Sequence, residues 1–417
     1  MEKSGKFRLT SLERNWILYD VGNSAFVLMV ATLIPIFFNA LAESGGLSSV
    51  EYLAYWGYAS SAVTIITAVL SPILGTVADT KGFKKPIFIL CVFVGIVGCC
   101  AMGAASAWLP FLVIFVIAKV GFSGSLVFYD SMLSDVTTPE RMDEVSSRGY
   151  AWGYIGSCVP FVVCLGLVLG AGSIGISQMT ALNLALLLTA AWWLLTTLPL
   201  LKSYKQLYYV EVEKHAVRQS FARIGHTLRH LPEDKQVFWF LLAFFCYIDG
   251  VYTIIDMATA YGTALDLDTT GLLLALLVTQ IVAFPSALVF GRLSNKYPSA
   301  KLIPVCIAAY AGIAVFAFFL TRQWQFWVLA VIVGMFQGGV QALSRSHFAK
   351  IIPPEKSGEY FGLFDICGKG ASFLGTMIVS VGSQLTGSAN VGVGSLIVLF
   401  IVGFVLFRVS CRQSETA

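Results

Sequence analysis

The chain has 417 residues, of which 57% are hydrophobic and only 12% are charged. A soluble protein of this length has too little interior to bury so much apolar surface, so the composition excludes a soluble globular protein. The net charge of +4 at pH 7 is small, and the basic residues are confined to particular gaps between apolar stretches. This distribution does not indicate nucleic-acid binding. It instead indicates the orientation of the chain in a membrane.

Twelve apolar stretches are long enough to cross a bilayer, whose hydrocarbon core of ~30 Å takes about 20 helical residues. In chain order these spans are 14–42, 52–78, 85–106, 109–136, 144–170, 178–200, 236–262, 269–294, 300–320, 324–351, 358–384 and 392–409. We therefore predict an all-α polytopic membrane protein with twelve transmembrane helices.

The basic residues of the gaps fall almost entirely on one side of the predicted membrane. Both terminal segments, the gaps after spans 2, 4, 8 and 10, and the long 202–235 segment are basic. The opposite gaps contain one basic residue, Arg322, and several acidic ones. This bias places both termini in the cytoplasm, and the absence of Asn-x-Ser/Thr sequons fits a bacterial cytoplasmic membrane. The 202–235 segment is also a candidate surface for anionic membrane lipids.

The chain consists of two similar halves. The polar segment 202–235 separates an N-terminal six-helix bundle, 1–201, from a C-terminal six-helix bundle, 236–417. Gly75 and Gly291 begin similar loops that are 216 residues apart (291 − 75), and two Pro-Glu pairs are 215 residues apart (354 − 139). Two separate landmarks with nearly the same offset indicate an internal duplication.

The loop after span 2 carries a Gly, an Asp four residues later, and then Gly and Lys residues: Gly75, Asp79, Gly82, Lys84 and Lys85. This pattern resembles the loop signature of the major facilitator superfamily. In the second copy Asn295 replaces the Asp and Pro298 replaces the Gly, so we expect a weaker contact there. Asp79 ends a helix, where its carboxylate can bind the N-terminus of a neighbouring helix.

Several further segments resemble the UMF1 or Atg22-like (vacuole effluxer-like) branch of that superfamily over essentially the whole chain. They are Trp16–Phe26, Tyr129–Leu133, Ser146–Gly156 and Tyr247–Gly250. The resemblance implies two six-helix bundles with a substrate site between them, and in fungi the branch is linked to amino-acid release. It implies a secondary active transporter and does not name the solute.

Charged residues inside spans are costly and therefore indicate functional positions. They occur on spans 1, 4, 5, 7, 10 and 11, which the resemblance places around or beside the central cavity. Four of them lie one or two turns from the cytoplasmic ends of their spans, and we predict that they form a cytoplasmic gate: Asp130, Arg148, Arg345 and Asp365. Carboxylates and guanidiniums of the two halves would pair when that side closes. The alternative is that each pair is static within its own half.

A second set of polar and aromatic residues lies near the middle of the membrane. We predict that it binds the solute: Asn23, Lys119, Trp152, Tyr154, Asp249, Gln280, Gln337, Gln341 and Lys369. Charges of both signs, amides and aromatic rings suit a small zwitterion or a hydroxylated solute. For Lys119 the alternative is an ion pair with Asp20 or Asp130.

Burial disfavours the charged form of a carboxylate, so buried Asp residues near the route are candidates for proton coupling. We rank Asp20 and Asp249 first and Asp130 third. A sodium site that uses Asp20, Asn23 and a backbone carbonyl is the alternative. The predicted function is proton-coupled transport of an amino acid or similar solute by a monomer. The remaining alternatives are sodium-coupled transport of a sugar-like or organic-acid solute and a receptor-like protein of the same fold. No motif indicates an enzyme, a cofactor or a bound metal.

Overall fold

The structure is a computed structural model that describes residues 7–211, 225–227, 229–371 and 373–416. Within these residues the secondary structure is helical, apart from one isolated bridge between Thr80 and Val210. The N-terminal half contains α1 Ser11–Ala31, α2 Leu33–Ser44, α3 Ser49–Ala78, α4 Lys84–Gly103, α5 Trp108–Ser131, α6 Leu133–Val136, α7 Met142–Leu169 and α8 Gln178–Ser203.

The C-terminal half repeats this arrangement. It contains α9 Lys235–Ala264, α10 Thr269–Leu293, α11 Ser299–Phe318, α12 Gln323–Ile351, α13 Ser357–Ala371, α14 Phe373–Thr386, α15 Ala389–Gly394 and α16 Ile397–Thr416, with a 3₁₀ turn at Pro354–Lys356. Eleven helical stretches of the described residues are each long and apolar enough to cross a membrane. The remaining predicted span, 358–384, is covered by α13 and α14, so the helices account for all twelve.

Helix boundaries follow local sequence signals. The hydroxyl of Thr10 accepts a hydrogen bond from the Glu13 backbone N–H at 3.2 Å, and the Glu13 carboxylate accepts one from the Thr10 N–H at 2.7 Å. This capping box fixes the start of α1. On α4 the large apolar side chains Leu90, Phe93 and Val97 are exposed on one face. Such a stripe is unfavourable in water and is accommodated where the helix faces lipid.

Each half is a bundle, and the halves meet mainly where α3 packs on α13 and α7 packs on α10; α12 also packs on α7, and α13 on α5. The start of α1 and the end of α8 are adjacent, because Asn15 Nδ2 donates to Ser203 Oγ at 2.9 Å. The end of α16 lies beside the start of α9, since Ser410 Oγ donates to the Gln236 carbonyl at 2.8 Å. The start of α1 and the end of α16 therefore lie next to the two attachment points of the 202–235 segment. We call this face the linker side.

Candidate transport site

A cavity of about 360 Å³ lies between the two halves. Its walls come from α1, α5 and α7 on one side and from α9, α10, α12 and α13 on the other. Five of the residues predicted to bind solute line it: Asn23, Tyr154, Gln280, Gln337 and Gln341. The volume lies at the lower end of the ~300–1,000 Å³ that is typical of small-molecule sites.

Arg345 closes the linker-side end of this cavity. Its Nη1 atom lies 2.9 Å from Asp130 Oδ1 and 3.7 Å from Asp20 Oδ2. Its Nε and Nη2 atoms donate to the hydroxyl and the carbonyl of Ser146 at 2.9 and 3.0 Å. The guanidinium also lies over the Tyr150 ring, 4.3 Å from the centroid. All of these partners belong to the N-terminal half, so Arg345 of α12 contributes several contacts between the two halves at one point.

Two carboxylates share this single guanidinium. The hydroxyl of Tyr129 donates to Asp20 Oδ2 at 3.1 Å, which gives Asp20 a neutral partner in addition to Arg345. With both Asp20 and Asp130 ionised, the three charged groups carry a net charge of −1, which one proton neutralises. Carboxylates that share a partner titrate as a unit rather than separately. The arrangement can therefore couple proton binding to the contact between the halves.

The cavity becomes more exposed away from the linker side. Arg345 is 2% exposed and Asp20 is 7% exposed, whereas Val27, two turns further along α1, is 43% exposed. Asp256 of α9 is exposed and also lines the cavity. The hydrogen bonds between the halves extend from the linker side inward to Tyr154, whose hydroxyl donates to Gln341 Oε1 at 3.3 Å. The structure is thus a state in which the linker side is closed.

The structure places three of the predicted solute-binding residues outside the lining of this cavity. The Lys119 ammonium lies over the Phe122 ring, 4.7 Å from its centroid. Trp152 is 45% exposed and packs on Phe284 of α10. The position of a residue in the sequence indicates its place along a helix but not the direction in which its side chain points. The side chain of Lys369 lies outside the described residues.

Asp249 also lies away from the cavity lining. It is fully buried, and its Oδ1 atom accepts hydrogen bonds from the Gly375 N–H at 2.8 Å and the Thr253 hydroxyl at 3.3 Å. These contacts tie α9 to the first turn of α14 within one half. These contacts are those of an anchor between two helices.

The four predicted gate residues do not behave as two equivalent pairs. Asp130 and Arg345 pair across the halves as expected. Arg148 instead pairs with Glu144 on its own helix at 2.6 Å, so its expected pairing across the halves is wrong in this state. Asp365 Oδ2 accepts a hydrogen bond from Ser71 of the N-terminal half at 2.8 Å and also lines the cavity. Glu144 precedes Arg148 by four residues, a spacing that favours a pair on one helix.

The loop from Gly75 to Lys85 joins the two halves at the linker side. The Asp79 carboxylate accepts hydrogen bonds from the backbone N–H groups of Gly358 and Glu359 at 2.7 and 2.8 Å. These groups belong to the first turn of α13, where N–H groups have no partner within the helix. A Cβ atom on Gly75 would overlap the carbonyl of Gly358. Glycine at position 75 therefore permits the close approach of α3 and α13.

Lys84 completes the contact. It is fully buried, donates to Ser357 Oγ at 2.8 Å, and lies 3.7 and 3.5 Å from the carboxylates of Asp79 and Asp135. Burial raises the pKa of Asp79 to about 6, although Lys84 and the two N–H groups of α13 favour its charged form. Gly82 has a φ of +80°, a conformation that glycine adopts without strain. Lys85 lies further out, with its ammonium 3.5 Å from the Tyr204 carbonyl.

The second copy of the loop makes a different contact. Asn295 Nδ2 donates to Glu144 Oε2 at 2.7 Å, so the carboxylate here is supplied by the first turn of α7. Beside it Asp143 accepts hydrogen bonds from Ser346 and Lys350 at 2.6 and 2.7 Å. The second loop thus joins the halves through side chains, whereas the first binds a helix terminus. That it contributes less remains a prediction.

Several residues that complete the site were not predicted from the sequence. Ser146, Asp143 and Lys350 connect the halves, and Tyr150 and Tyr252 line the cavity. Asp143 and Lys350 lie near the ends of predicted spans, where a charge needs no functional explanation. The equivalence of positions 130 and 345 in the repeat was the signal that found the central pair. No similar signal marked Ser146, whose contacts depend on how two distant helices pack.

Two six-helix bundles with a polar cavity at their junction define a transporter of the major facilitator fold. The family model described as "Vacuole effluxer Atg22 like" matches residues 11–142 and 134–416. The chain therefore belongs to this family, whose members are transporters rather than enzymes.

Individual proteins agree with this assignment. The chain is 41% identical over 414 residues to the uncharacterized MFS-type transporter YxiO of Bacillus subtilis, covering 98% of this chain and 97% of YxiO. It is 25% identical over 315 residues to autophagy-related protein 22 of Coccidioides immitis, covering 65% of this chain and 51% of that protein. Among solved structures, the transporter FucP in the outward conformation has a TM-score of 0.70 at 16% identity, covering 96% of this chain and 97% of FucP.

Proposed function

We propose that this transporter moves a small polar or zwitterionic solute, such as an amino acid, and couples the movement to protons. The observation that carries the proposal is the cluster of Asp20, Asp130 and Arg345, because it lies both at the end of the cavity and at the contact between the halves. A change in its charge acts on solute binding and on closure together. We further propose that the linker side faces the cytoplasm of a bacterial cell.

The cavity chemistry supports a zwitterionic or hydroxylated solute. Its described lining includes four carboxylates, the guanidinium of Arg345, and several amide and phenol groups. The side-chain amide oxygen of Gln337, Oε1, is buried and has no hydrogen-bond partner among the described residues. A buried polar atom without a partner is costly, so a bound solute that donates a hydrogen bond to it gains stability.

Coupling follows from the shared guanidinium. When a proton binds Asp20 or Asp130, one carboxylate of the cluster becomes neutral and holds Arg345 less strongly. Separation of α12 from Asp130 and Ser146 then becomes less costly, and the linker side can open. In the next step water on the linker side takes the proton, and the cluster forms again as the halves close. Alternating access requires only this rearrangement of contacts across the centre of the molecule.

Purified protein tests the solute class first. Amino acids, sugars, nucleosides and organic acids are added singly, and a solute that binds the folded state raises the melting temperature. We expect the largest shift with an amino acid, and we expect counterflow of the same compound in proteoliposomes. Its accumulation should follow an imposed pH gradient. Accumulation that needs Na⁺ and ignores pH would favour a sodium site at Asp20 and Asn23 instead.

A further inference from the structure

The first part of the 202–235 segment is folded onto the N-terminal half, and we call its residues 204–211 the strap. Asp135 accepts a hydrogen bond from the Tyr204 hydroxyl at 2.6 Å. It also accepts hydrogen bonds from the backbone N–H groups of Leu207 and Tyr208 at 2.9 and 3.0 Å. Asp135 is itself buried, so a buried carboxylate fixes the position of the strap.

The strap binds the backbone on both sides of Asp79. Gln206 Nε2 donates to the Ala78 carbonyl at 3.1 Å, and Gln206 Oε1 accepts from the Gly82 N–H at 3.0 Å. The Val210 N–H donates to the Asp79 carbonyl at 2.8 Å. Carbonyl groups at the end of a helix have no partner within that helix, and here the strap supplies partners for two of them. One amide side chain therefore connects the residue before Asp79 with the glycine that follows it in the loop.

Asp79 thus has its backbone bound by the strap and its carboxylate bound by the other half. The carboxylate accepts hydrogen bonds from the Gly358 and Glu359 N–H groups of α13 at 2.7 and 2.8 Å. When the halves separate on the linker side, these two bonds are lost, whereas the bonds to the strap lie within one half and remain. A loop that is already fixed loses less conformational freedom when α13 returns. The strap therefore favours closure through Asp79.

We propose that Gln206 is a positioning residue for transport, which holds the backbone around Asp79 so that its carboxylate meets the N-terminus of α13 whenever the linker side closes. A purely structural residue would behave differently. Its contacts within one half would persist in both states, so their loss would lower thermal stability and leave the closed–open equilibrium unchanged. Neither the solute nor the coupling ion enters this role, so its test is separate from that of the proposed function.

The reactivity of a thiol buried between the halves measures the open population. Ser147 of α7 is fully buried, and its hydroxyl has no hydrogen-bond partner among the described residues. A Cβ atom on Gly291 of the other half would lie 2.9 Å from the Ser147 Cβ. Ser147→Cys therefore places a thiol at the contact between the halves without removing a described hydrogen bond. Ser131→Cys is buried within the N-terminal half and reports any loosening of that half.

The rate of reaction with a methanethiosulfonate is measured on purified full-length protein, from the peptide that carries the introduced cysteine. Gln206→Met nearly keeps the length of the side chain and removes both of its hydrogen bonds to the loop. We expect reaction at position 147 to become at least about threefold faster, equal to about 0.7 kcal/mol, with no change at position 131. Lys81→Met is the matched control, because Lys81 contacts the strap through an exposed ion pair with Glu211 and through the Tyr209 ring. Exposed ion pairs contribute little, so the rate at position 147 should stay the same.

A double-mutant cycle shows whether Gln206 acts through Asp79. In an Asp79→Ala background Gln206→Met should cause no further increase in the rate at position 147, because the carboxylate that it positions is absent. A threefold increase that persists without this carboxylate would overturn the inference. An unchanged rate in Gln206→Met, an equal increase in Lys81→Met, or an equal increase at position 131 would overturn it as well. A lower melting temperature with unchanged reactivity would show a role in stability alone, which also contradicts the proposal.

Discussion

Removal of Arg345 should release the closed linker side. Arg345→Ala deletes a side chain that is 2% exposed, with Asp130 at 2.9 Å and two hydrogen bonds to Ser146. Removing one partner of a buried ion pair typically costs about 3–5 kcal/mol. All of these partners lie in the other half, so the cost falls on the closed state. The equilibrium should therefore shift toward the open state by roughly 100- to 5,000-fold.

The distance between spin labels at positions 202 and 301 measures this shift. Lys202 and Lys301 are exposed and lie on the linker side in opposite halves. We expect a longer distance to dominate in Arg345→Ala, on a cysteine-free background. Arg148→Ala is the matched control, because the described contacts of Arg148, an ion pair with Glu144 and a cation–π contact with Phe7, lie in its own half. An ion pair with this spacing on one helix is worth about 0.3–0.5 kcal/mol.

A double-mutant cycle identifies the partner. Asp130→Asn and Arg345→Gln remove the charges singly and together. Residues in direct contact should show an interaction free energy of at least ~1 kcal/mol in the open–closed equilibrium. Additive effects of the two substitutions, or an Arg345→Ala distance distribution like that of wild type, would refute the reasoning that this pair holds the halves closed.

Three further predictions concern the loop and the coupling residues. Gly75→Ala should favour the open linker side in the same distance measurement, because its Cβ would overlap the α13 backbone. Gly57→Ala on the same helix is the control, since a Cβ there has open space and should not change the distance. Equal effects of the two substitutions would contradict the packing argument. The pKa of Asp79 is about 6 in the closed state and falls to about 4 in water. In a background with Asp20→Asn and Asp130→Asn, which removes the titration of the central cluster, the closed state therefore binds more protons and should gain population as pH falls through 6. Asp79→Asn should remove this dependence, and a closed fraction that rises with pH in that background would contradict it. Asp20→Asn should abolish accumulation of the solute along a pH gradient and preserve exchange of the solute. Asp249→Asn should lower thermal stability and leave proton coupling intact. The reverse pattern would restore Asp249 as the coupling residue.

The membrane class, the division into halves and the family resemblance could be predicted from the sequence. These features depend on long apolar runs, on a repeat offset and on motif residues such as Asp79, all of which are local in the chain. The pairing of Asp130 with Arg345 was also predictable, because the duplication places the two positions at equivalent depths with opposite charge.

The direction of individual side chains could not be predicted in the same way. Lys119 lies over Phe122, and Asp249 binds the backbone of Gly375, both within their own half. Helix rotation is set by packing against several other helices, and a single sequence does not contain that information. Arg148 was wrongly paired across the halves because Glu144, one turn before it on the same span, was not weighed as its partner.

Charged residues near the span ends that connect the two halves could not be predicted for a related reason. Asp143 and Lys350 fall near the ends of predicted spans, where positive-inside bias and solvation explain a charge without further assumption. Only the folded arrangement shows that they face each other across the halves. The role of Asp135 likewise depends on the segment 204–211, whose backbone folds back onto it.

Proton movement that accompanies solute movement tests the central claim most directly. A pH-sensitive dye is sealed in proteoliposomes without an imposed ion gradient, and the amino acid with the largest thermal shift is added outside. We predict a change in internal pH with wild type that needs the solute and is lost in Asp20→Asn with Asp130→Asn. Solute uptake by wild type with no change in internal pH would contradict the account.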